Sequence, residues 1–370
     1  MRQFWYALAT LLGTIIGAGI LGIPYAATRS GFFIALGHII VIGALVCVLN
    51  LYLGEIVLRT KGRHQLVGYA SIYLGKPGKA AMLLLQIGVL WGALTAYIIG
   101  EGSALAALFE GSPAIWSFAF WLAGAALIWR GLRTVAASEL ALGGLKFLVL
   151  AALLAVLFPQ ISAANLSPLE LGQAAYPVGV VLFAFLGFSA IPEVRELLWR
   201  RERTLKTVLL AGSGIPIIVY VLFVAAIVGT TGPATPELAT AGLRAAGMLA
   251  LGLGNLFAVL TMATVFLALG LVLRDLFEYD VGLPRQAALA AAVLPPLAAW
   301  LAGAQSFAAV LGISGALFGG GMAVLVVLMH RAAARAGKRA PEYAISSRAV
   351  LDGLLVVLFV AGAVAQLLLI

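Results

Sequence analysis

Residues 13–26 read GTIIGAGILGIPYA, an uncharged stretch inside the first long apolar run of the chain. Glycines stand at positions 13, 17, 19 and 22, and a proline follows at position 24. Glycine and proline are the residues that most weaken an α-helix. A hydrophobic segment that carries so many of them is typical of a helix that is interrupted near its middle.

The composition places this stretch in a membrane protein. Of the 370 residues, 63% are hydrophobic and only 10% are charged, and the mean hydropathy is +1.12. A soluble domain carries about 25% charged residues, so this chain has too little polar surface to cover a globule in water. The single cysteine, Cys47, and three scattered histidines give no disulfide within the chain and no metal-ligand spacing. We therefore predict an all-α integral membrane protein without a cofactor or a metal.

Eleven apolar segments are long enough to cross a membrane, at about 20 residues for each helix. They run over 4–28, 32–58, 80–109, 114–129, 135–158, 173–198, 206–230, 246–273, 285–303, 305–330 and 348–370. The connections between them are short, which predicts one membrane domain over residues 1–370 and no separate soluble module.

The basic residues indicate how the segments are oriented. If the N-terminus is cytoplasmic, 20 of the 23 lysines and arginines fall on the cytoplasmic side. They cluster in the segments 59–79, 130–133, 195–206, 274–285 and 331–348. The net charge of +9 is therefore a topology signal and does not indicate a nucleic-acid partner. We predict a multi-pass protein of the cytoplasmic membrane with its C-terminus outside.

The opening stretch has a counterpart later in the chain. GILGIP at 19–24 and GFSAIP at 187–192 share the pattern G-x-x-[G/A]-I-P. The first copy lies in the first segment and the second copy in the sixth, an odd offset of five, so the second copy starts from the opposite face of the membrane. This pattern predicts inverted repeats over about 1–158 and 172–331, with 348–370 as an additional helix, and a broken first helix in each repeat.

A break of this kind predicts a binding site. Unwound backbone groups cost several kcal/mol each in lipid, so they persist only where they line a cavity. Half-helix N-termini then face an anion and free carbonyls face a cation, as the two charges of an amino acid require. Gly13 and Gly17 alone form GxxxG, which in isolation favours simple helix packing. The matched second motif favours a binding site.

The residues around both motifs resemble a known superfamily, the amino acid–polyamine–organocation transporters. Within it the chain is most similar to the amino acid/auxin permeases and the tryptophan/tyrosine permeases. The stretches that carry the resemblance are GTIIGAGILGIPYA followed by SGF, LFAFLGFSAIPEVRELL at 182–198, TLKTVLLAGSGIPIIVYVLF at 204–223 and ATVFLALGLVLRDLF at 263–277. The resemblance implies about 11 transmembrane helices in a leucine-transporter-like fold of two five-helix inverted repeats, with helices 1 and 6 broken.

The same resemblance implies a backbone site for the amino acid. The amides that would hold the substrate carboxylate are those of Ala18, Gly19 and Ile20. The carbonyls that would accept from the substrate ammonium are those of Ile15, Phe183 and Leu186. Gly17, Gly19 and Gly187 would let the main chain approach the ligand.

Fewer residues are candidates for the pocket that would hold the side chain of the substrate. Tyr97 in LTAYIIGEG matches a position that often faces the substrate, and Phe183 and Phe188 flank the sixth-helix break. Ordinary packing in the core or against lipid is the competing interpretation of each aromatic residue. Asn255 and Ser314 are weaker candidates.

Lys146 is the strongest functional candidate among the charged residues inside the membrane. It lies about three turns from the predicted cytoplasmic end of the fifth helix. It either snorkels to the interface or takes part in ion coupling. Sodium-coupled members of this fold bind Na⁺ between first-helix carbonyls and eighth-helix hydroxyls. The matching positions here are Gly13, Ile16, Thr261, Thr264 and Val265, and the valine weakens the sodium interpretation. In some proton-coupled relatives a fifth-helix lysine takes that place, so we favour H⁺ over Na⁺ as the coupling ion.

We therefore predict a secondary active transporter, not an enzyme, for neutral aliphatic or aromatic amino acids, with proton-coupled uptake by alternating access. Sodium-coupled symport and amino acid exchange remain alternatives, as does a sensor or channel on the same fold. The roles of Glu55, Glu101, Glu139 and Glu193 stay open, although Glu55 and Glu193 are expected to pair with Arg59 and Arg195 or with helix termini.

Overall fold

A computed structural model describes residues 2–130, 132–166, 169–345 and 349–368, with side chains over 132–143 excepted. Throughout this part of the chain the regular structure is helical, and one isolated bridge pairs Gly31 with Leu169. The α-helices are α1 (Arg2–Ile15), α2 (Gly19–Ser30), α3 (Phe32–Arg59), α4 (Leu66–Phe109), α5 (Pro113–Arg130), α6 (Leu132–Leu157), α7 (Pro177–Phe185), α8 (Ile191–Leu197), α9 (Leu205–Thr231), α10 (Met248–Asp275), α11 (Arg285–Leu301), α12 (Phe307–Ile313), α13 (Gly320–Ala336) and α14 (Ala349–Leu368).

The all-helical membrane fold is confirmed. Among the described residues, seven helical stretches are long and apolar enough to cross a membrane. The bent pair of α1 and α2 makes an eighth. Two further helices, α5 and α11, are shorter, at 18 and 17 residues. The count of eleven spans stays a prediction.

The first broken helix differs in detail from the expectation. The chain bends by 48° between α1 and α2, over residues 16–18. Gly17 donates its amide to the carbonyl of Ile15 at 2.8 Å, which closes a tight turn. The break therefore lies upstream of the GILGIP motif, and Pro24 lies inside α2. The helix has already restarted when the proline is reached.

The second break coincides with the start of its motif. Helix α7 ends at Phe185, and Leu186 is extended at φ −66° and ψ 112°. A 3₁₀ turn covers Phe188–Ala190 before α8 begins at Ile191. Pro192 stands in the first turn of α8, where a missing backbone N–H costs nothing. The two prolines thus hold different positions relative to their breaks.

Another departure concerns the loop predicted over 59–79. Helix begins there at Leu66, and a break at Gly75 separates this short piece from the long remainder of α4. Gly75 has φ +71°, a left-handed conformation that glycine adopts without strain. The basic side chains of this stretch concealed the helix in the sequence, because they are typical of a loop.

Three basic segments, 59–79, 195–206 and 331–348, lie together at one end of the molecule, and we call this surface the basic face. The amide of Lys338 donates to the carbonyl of Arg59 at 3.1 Å. Arg195 donates to the carbonyl of Gly62 at 3.3 Å, and Arg339 pairs with Glu202. Three of the segments predicted to share a side therefore lie together.

The two broken helices lie side by side in the middle of the fold. A Cβ added to Gly19 would come within 2.5 Å of the Ala184 Cα, so only glycine permits this approach of α2 to α7. Helices α4 and α6 both pack on α10, and α3 packs on α9. These neighbours surround the breaks and define the space between them.

Candidate functional site

A cavity of about 80 Å³ opens between the two breaks. Most of the predicted substrate residues line it, namely Ile15, Gly17, Ala18, Gly19, Tyr97, Phe183, Leu186 and Phe188. Ile20 and Gly187 lie next to it without lining it. The lining residues absent from the predicted substrate set are Thr14, Gln86, Val89, Leu90, Ala93, Ala184, Ser189, Val265, Leu269 and Met322. All of these described lining residues are uncharged.

The start of α2 forms one wall of this cavity. The first amides of a helix have no acceptor inside the helix, and the helix dipole adds partial positive charge there. In this structure they belong to Ala18, Gly19 and Ile20, while the carbonyl of Ala18 accepts from Leu21 at 3.0 Å. The arrangement suits a carboxylate.

The carbonyl of Ile15 is already in use. It accepts from the Gly17 amide at 2.8 Å and from the Tyr220 hydroxyl at 2.7 Å. A carbonyl oxygen offers two lone pairs, so both are occupied in this conformation. For Ile15 to hold a substrate ammonium, as the resemblance implies, one of these donors would have to leave. The carbonyl of Phe183 likewise accepts from Leu186, at 3.1 Å.

Tyr220 is a residue that the sequence interpretation missed. Its side chain is fully buried on α9, and its hydroxyl lies 2.7 Å from the carbonyl oxygens of both Ile15 and Ala184. It thereby connects the end of α1 with α7 through these two carbonyls. Because the phenol has one proton, the two carbonyls share it.

Tyr97 reaches the site from α4. Its side chain is buried and lines the cavity, and a Cβ added to Gly17 would lie 4.0 Å from its hydroxyl. The hydroxyl therefore faces the unwound backbone at Gly17. Gly17 leaves the space between them open.

Gln86 is a second lining residue that the sequence did not single out. It lies eleven positions before Tyr97 on α4, which is close to three helical turns and the same face. The side chain is 8% exposed, and its Oε1 has no hydrogen-bond partner among the described residues. Between these two residues the wall is apolar, so Gln86 places a single amide group at the edge of a hydrocarbon surface.

Lys146 lies against the first break. Its Nζ is 3.2 Å from the carbonyl oxygen of Gly13 and 3.3 Å from that of Ile16. The residue is 4% exposed. The structure thus brings together the three residues that the resemblance groups, and the ammonium lies at the break instead of snorkelling to an interface.

The two threonines of the same predicted group lie on α10. Thr264 uses its hydroxyl within that helix, donating to the carbonyl of Leu260 at 2.8 Å. The hydroxyl of Thr261 is buried and has no hydrogen-bond partner in the part of the chain that the structure describes. Neither side chain lines the cavity.

The remaining candidates are mostly engaged in local structure. Glu55 pairs with Arg59 at 2.7 Å, as predicted. Arg195, in contrast, pairs with Glu202 at 2.9 Å and not with Glu193, which stands in the first turn of α8, the helix-terminus alternative of the expectation. The side-chain placement of Glu139 lies outside the described residues. Asn255 donates to the carbonyl of Thr240 at 3.1 Å, and Ser314 donates to that of Val310 at 2.6 Å.

Comparison with known sequences decides the family. The profile of the tryptophan/tyrosine permease family matches residues 1–367, which is nearly the whole chain. The chain belongs to this permease family. The permease is accordingly a transport protein and not an enzyme.

Curated relatives agree with this assignment. The permease is 27% identical over 363 residues to tyrosine-specific transport system 1 of Haemophilus influenzae, covering 90% of this chain and 89% of that protein. It is 26% identical over 228 residues to glutamine transporter 2 of Aliivibrio fischeri, covering 59% of each. Both relatives are amino acid transporters by name.

A solved structure shares the fold of the permease. The crystal structure of MhsT in complex with L-phenylalanine superposes with a TM-score of 0.66, covering 98% of this chain and 96% of that one. The sequence identity is 16%, so the likeness concerns the fold alone. It confirms the leucine-transporter-like architecture that the resemblance implied.

Proposed function

We propose that the permease is a secondary active transporter of neutral amino acids that holds its substrate between the two helix breaks. The observation that carries this proposal is the cavity itself. It has the first amides of α2 at one side, backbone carbonyls near α7 at another, and no charged side chain among its described lining residues. A zwitterion supplies the complementary charges, and the walls suit an uncharged side chain.

The walls favour a large side chain that is mainly apolar. Val89, Leu90 and Leu269 present hydrocarbon, and Ala93 leaves room because it is small. Phe183 and Phe188 add aromatic surface. These features support bulky aliphatic and aromatic amino acids. The names of the relatives, which refer to tyrosine and glutamine, support an amino acid with some polarity at the end of its side chain.

Proton coupling is the finer part of the proposal. The ammonium of Lys146 occupies the position between the carbonyls of Gly13 and Ile16 where a bound cation would otherwise be expected. Thr264 directs its hydroxyl back into α10, which gives little support to a sodium site. These contacts favour H⁺ over Na⁺ and over simple exchange.

We also propose a single membrane domain over residues 1–370 made of inverted repeats, with the basic face in the cytoplasm. The N-terminal helix α1 packs on α8, which leads into the basic loop after residue 195. An excess of lysine and arginine marks cytoplasmic loops, so this face is assigned to the cytoplasm of the cell membrane. The C-terminus would then lie outside.

The proposal is tested by binding and by counterflow. Thermal unfolding of the purified protein is measured with each of the twenty amino acids, because a ligand that binds the folded state raises the midpoint. Proteoliposomes loaded with an unlabelled hit should then take up the same amino acid in labelled form. If no amino acid stabilises the protein or exchanges, the transporter proposal is wrong.

A matched pair of glycine variants tests whether the amino acid binds in the cavity. In Gly17→Val the added side chain projects toward Tyr97 and fills the space at the break, so stabilisation by the amino acid should disappear. Gly37→Val is the control, because a Cβ there meets nothing within 4 Å. Equal ligand responses in both variants would place the binding site elsewhere.

A further inference from the structure

Glu101 is a buried acid that the proposed transport site does not yet use. It lies on α4, four residues beyond Tyr97, and is 0% exposed. Neither carboxyl oxygen has a hydrogen-bond partner of good geometry among the described residues. Its polar neighbour is the backbone amide of Ala263, an interior residue of α10 whose N–H also serves that helix.

Among the described residues, helices α10, α5 and α12 pack near this turn of α4 and form no ion pair with Glu101; α12 brings Phe307 to Gly100. Helix α10 presents Met262, which contacts the neighbouring Gly100, along with the Ala263 backbone. Helix α5 presents Ser117, whose hydroxyl donates to the carbonyl of Ile98 at 2.8 Å. On α4 itself the titratable neighbour is Tyr97. Within the described chain no lysine, arginine or histidine forms an ion pair with Glu101.

An ionised carboxylate is costly in such surroundings. Burying a charge without a partner costs several kcal/mol or more, and the group avoids that cost by taking up a proton. Burial without an ion-pair partner among the described residues therefore favours the neutral carboxylic acid at Glu101 in this conformation. Ionisable residues at membrane depth are functional candidates because their cost must be offset by a use.

The position of Glu101 connects it to the cavity. Residues four apart share a face of a helix, so Glu101 lies one turn from Tyr97, which lines the cavity. On the facing helix, Ala263 lies two residues before Val265, which also lines the cavity. Glu101 is thus placed directly behind the wall that Tyr97 and α10 form.

We propose that Glu101 binds a proton that is carried together with the amino acid. The carboxylate takes up H⁺ where water reaches it from one side of the membrane. The neutral acid stays closed in the conformation described above, and the proton leaves when water reaches the acid from the other side. Lys146 holds the first break at a separate place, against the carbonyls of Gly13 and Ile16. This inference rests on the proposed proton coupling and adds a specific proton-binding site to it.

The test compares Glu101→Gln with the wild type in proteoliposomes. Glutamine keeps the shape but cannot release a proton. We expect Glu101→Gln to retain counterflow of the labelled amino acid and to lose both amino-acid-dependent proton influx and accumulation driven by a pH gradient. Glu110→Gln, an exposed glutamate at the end of the same helix, is the control and should behave as the wild type does.

Each outcome separates the two proposals. If the wild type couples protons and Glu101→Gln couples them equally well, the Glu101 site is wrong while the proposed function stands. If the wild type exchanges amino acids but never moves protons, the proton coupling itself fails. Should Glu101→Gln not fold, infrared spectra of the wild type and Glu101→Asp decide the matter. A protonated carboxyl band at neutral pH that changes in the aspartate variant supports the site, and its absence from the wild type overturns it.

Discussion

At the scale of single residues, Tyr220 determines how the two breaks are held together. One hydroxyl serves the carbonyls of Ile15 and Ala184, and the ring packs against Phe185 with centroids 4.9 Å apart. Tyr220→Phe keeps that ring contact but leaves both buried carbonyls without this donor. The carbonyl of Ile15 keeps the Gly17 amide, but that of Ala184 loses its Tyr220 donor. An unsatisfied buried acceptor costs about 1–3 kcal/mol, so the unfolding midpoint should fall.

The same substitution should weaken amino acid binding, because the backbone that forms the site is then less well fixed before the ligand arrives. We expect the Kd, measured from ligand-induced stabilisation, to rise several-fold in Tyr220→Phe. The control is Tyr279→Phe, whose side chain is 76% exposed. A Kd equal to that of the wild type, with a lowered midpoint, would limit Tyr220 to a structural role.

Gln86 gives a prediction about substrate choice. Its Oε1 lacks a donor among the described residues at the cavity wall, so a substrate whose side chain carries an O–H or N–H can satisfy it. A site with a buried polar group discriminates strongly against a ligand that leaves the group unpaired. Gln86→Leu should therefore reduce the preference for tyrosine over phenylalanine in competition assays, by about tenfold for a loss of about 1.4 kcal/mol. An unchanged preference would show that the substrate side chain does not reach this residue.

At the scale of elements, the loop between α8 and α9 is tied to the segment that follows α13. Glu202 pairs with Arg195 at 2.9 Å and also with Arg339, and Arg339 pairs with Glu342. Burial opposes ionisation of Glu202, but hydrogen bonds from Arg339 and Arg195 outweigh it and hold the pKa of this carboxyl below its ordinary value. The ion pairs that Glu202 forms across the basic face therefore depend on pH.

The sign of this dependence follows from the lowered pKa. Glu202 contributes stability above the ordinary glutamate pKa of about 4.3, and the contribution is lost as the pH falls through the lower value of the folded state. Glu202→Gln should lower the unfolding midpoint at neutral pH and flatten its fall at acidic pH, as measured by thermal unfolding across that range. Glu110→Gln serves as the exposed control. Parallel profiles for wild type and Glu202→Gln would contradict this account.

At the scale of the whole molecule, the sequence predicted those features that depend on local chemistry. Glycines and prolines in the first and sixth segments indicated two breaks, and the resemblance by itself grouped Lys146 with Gly13 and Ile16. What could not be predicted depends on packing between distant segments. The Tyr220 hydroxyl donates a hydrogen bond to a carbonyl 205 positions away. A tyrosine in an apolar run gives the same sequence pattern whether its hydroxyl forms a distant hydrogen bond or its ring only packs.

Helix starts were also hard to predict where charge and helix propensity conflict. The stretch 66–74 is flanked by the basic residues Arg63 and Lys76, which placed it in a predicted loop, yet it is helical up to Gly75. In the first segment the proline of the matched motif is accommodated inside α2, because the turn at residues 16–18 comes before it. A motif can therefore be correct about the presence of a break and imprecise about its position.

Lys146 joins α6 to the first break, and so it connects elements that must move relative to each other if the site opens alternately to the two sides. A charged ammonium holds the carbonyls of Gly13 and Ile16, and an uncharged amine holds them more weakly, so gain or loss of this proton would bias the position of α1. We expect Lys146→Ala to abolish accumulation of the amino acid driven by a pH gradient at fixed membrane potential, while counterflow persists. Lys76 is exposed on α4, so the control variant Lys76→Ala should accumulate the amino acid as the wild type does. Wild-type accumulation in Lys146→Ala, or a strict sodium requirement in the wild type, would exclude Lys146 from coupling, because a fixed ammonium and a sodium ion cannot both occupy those two carbonyls.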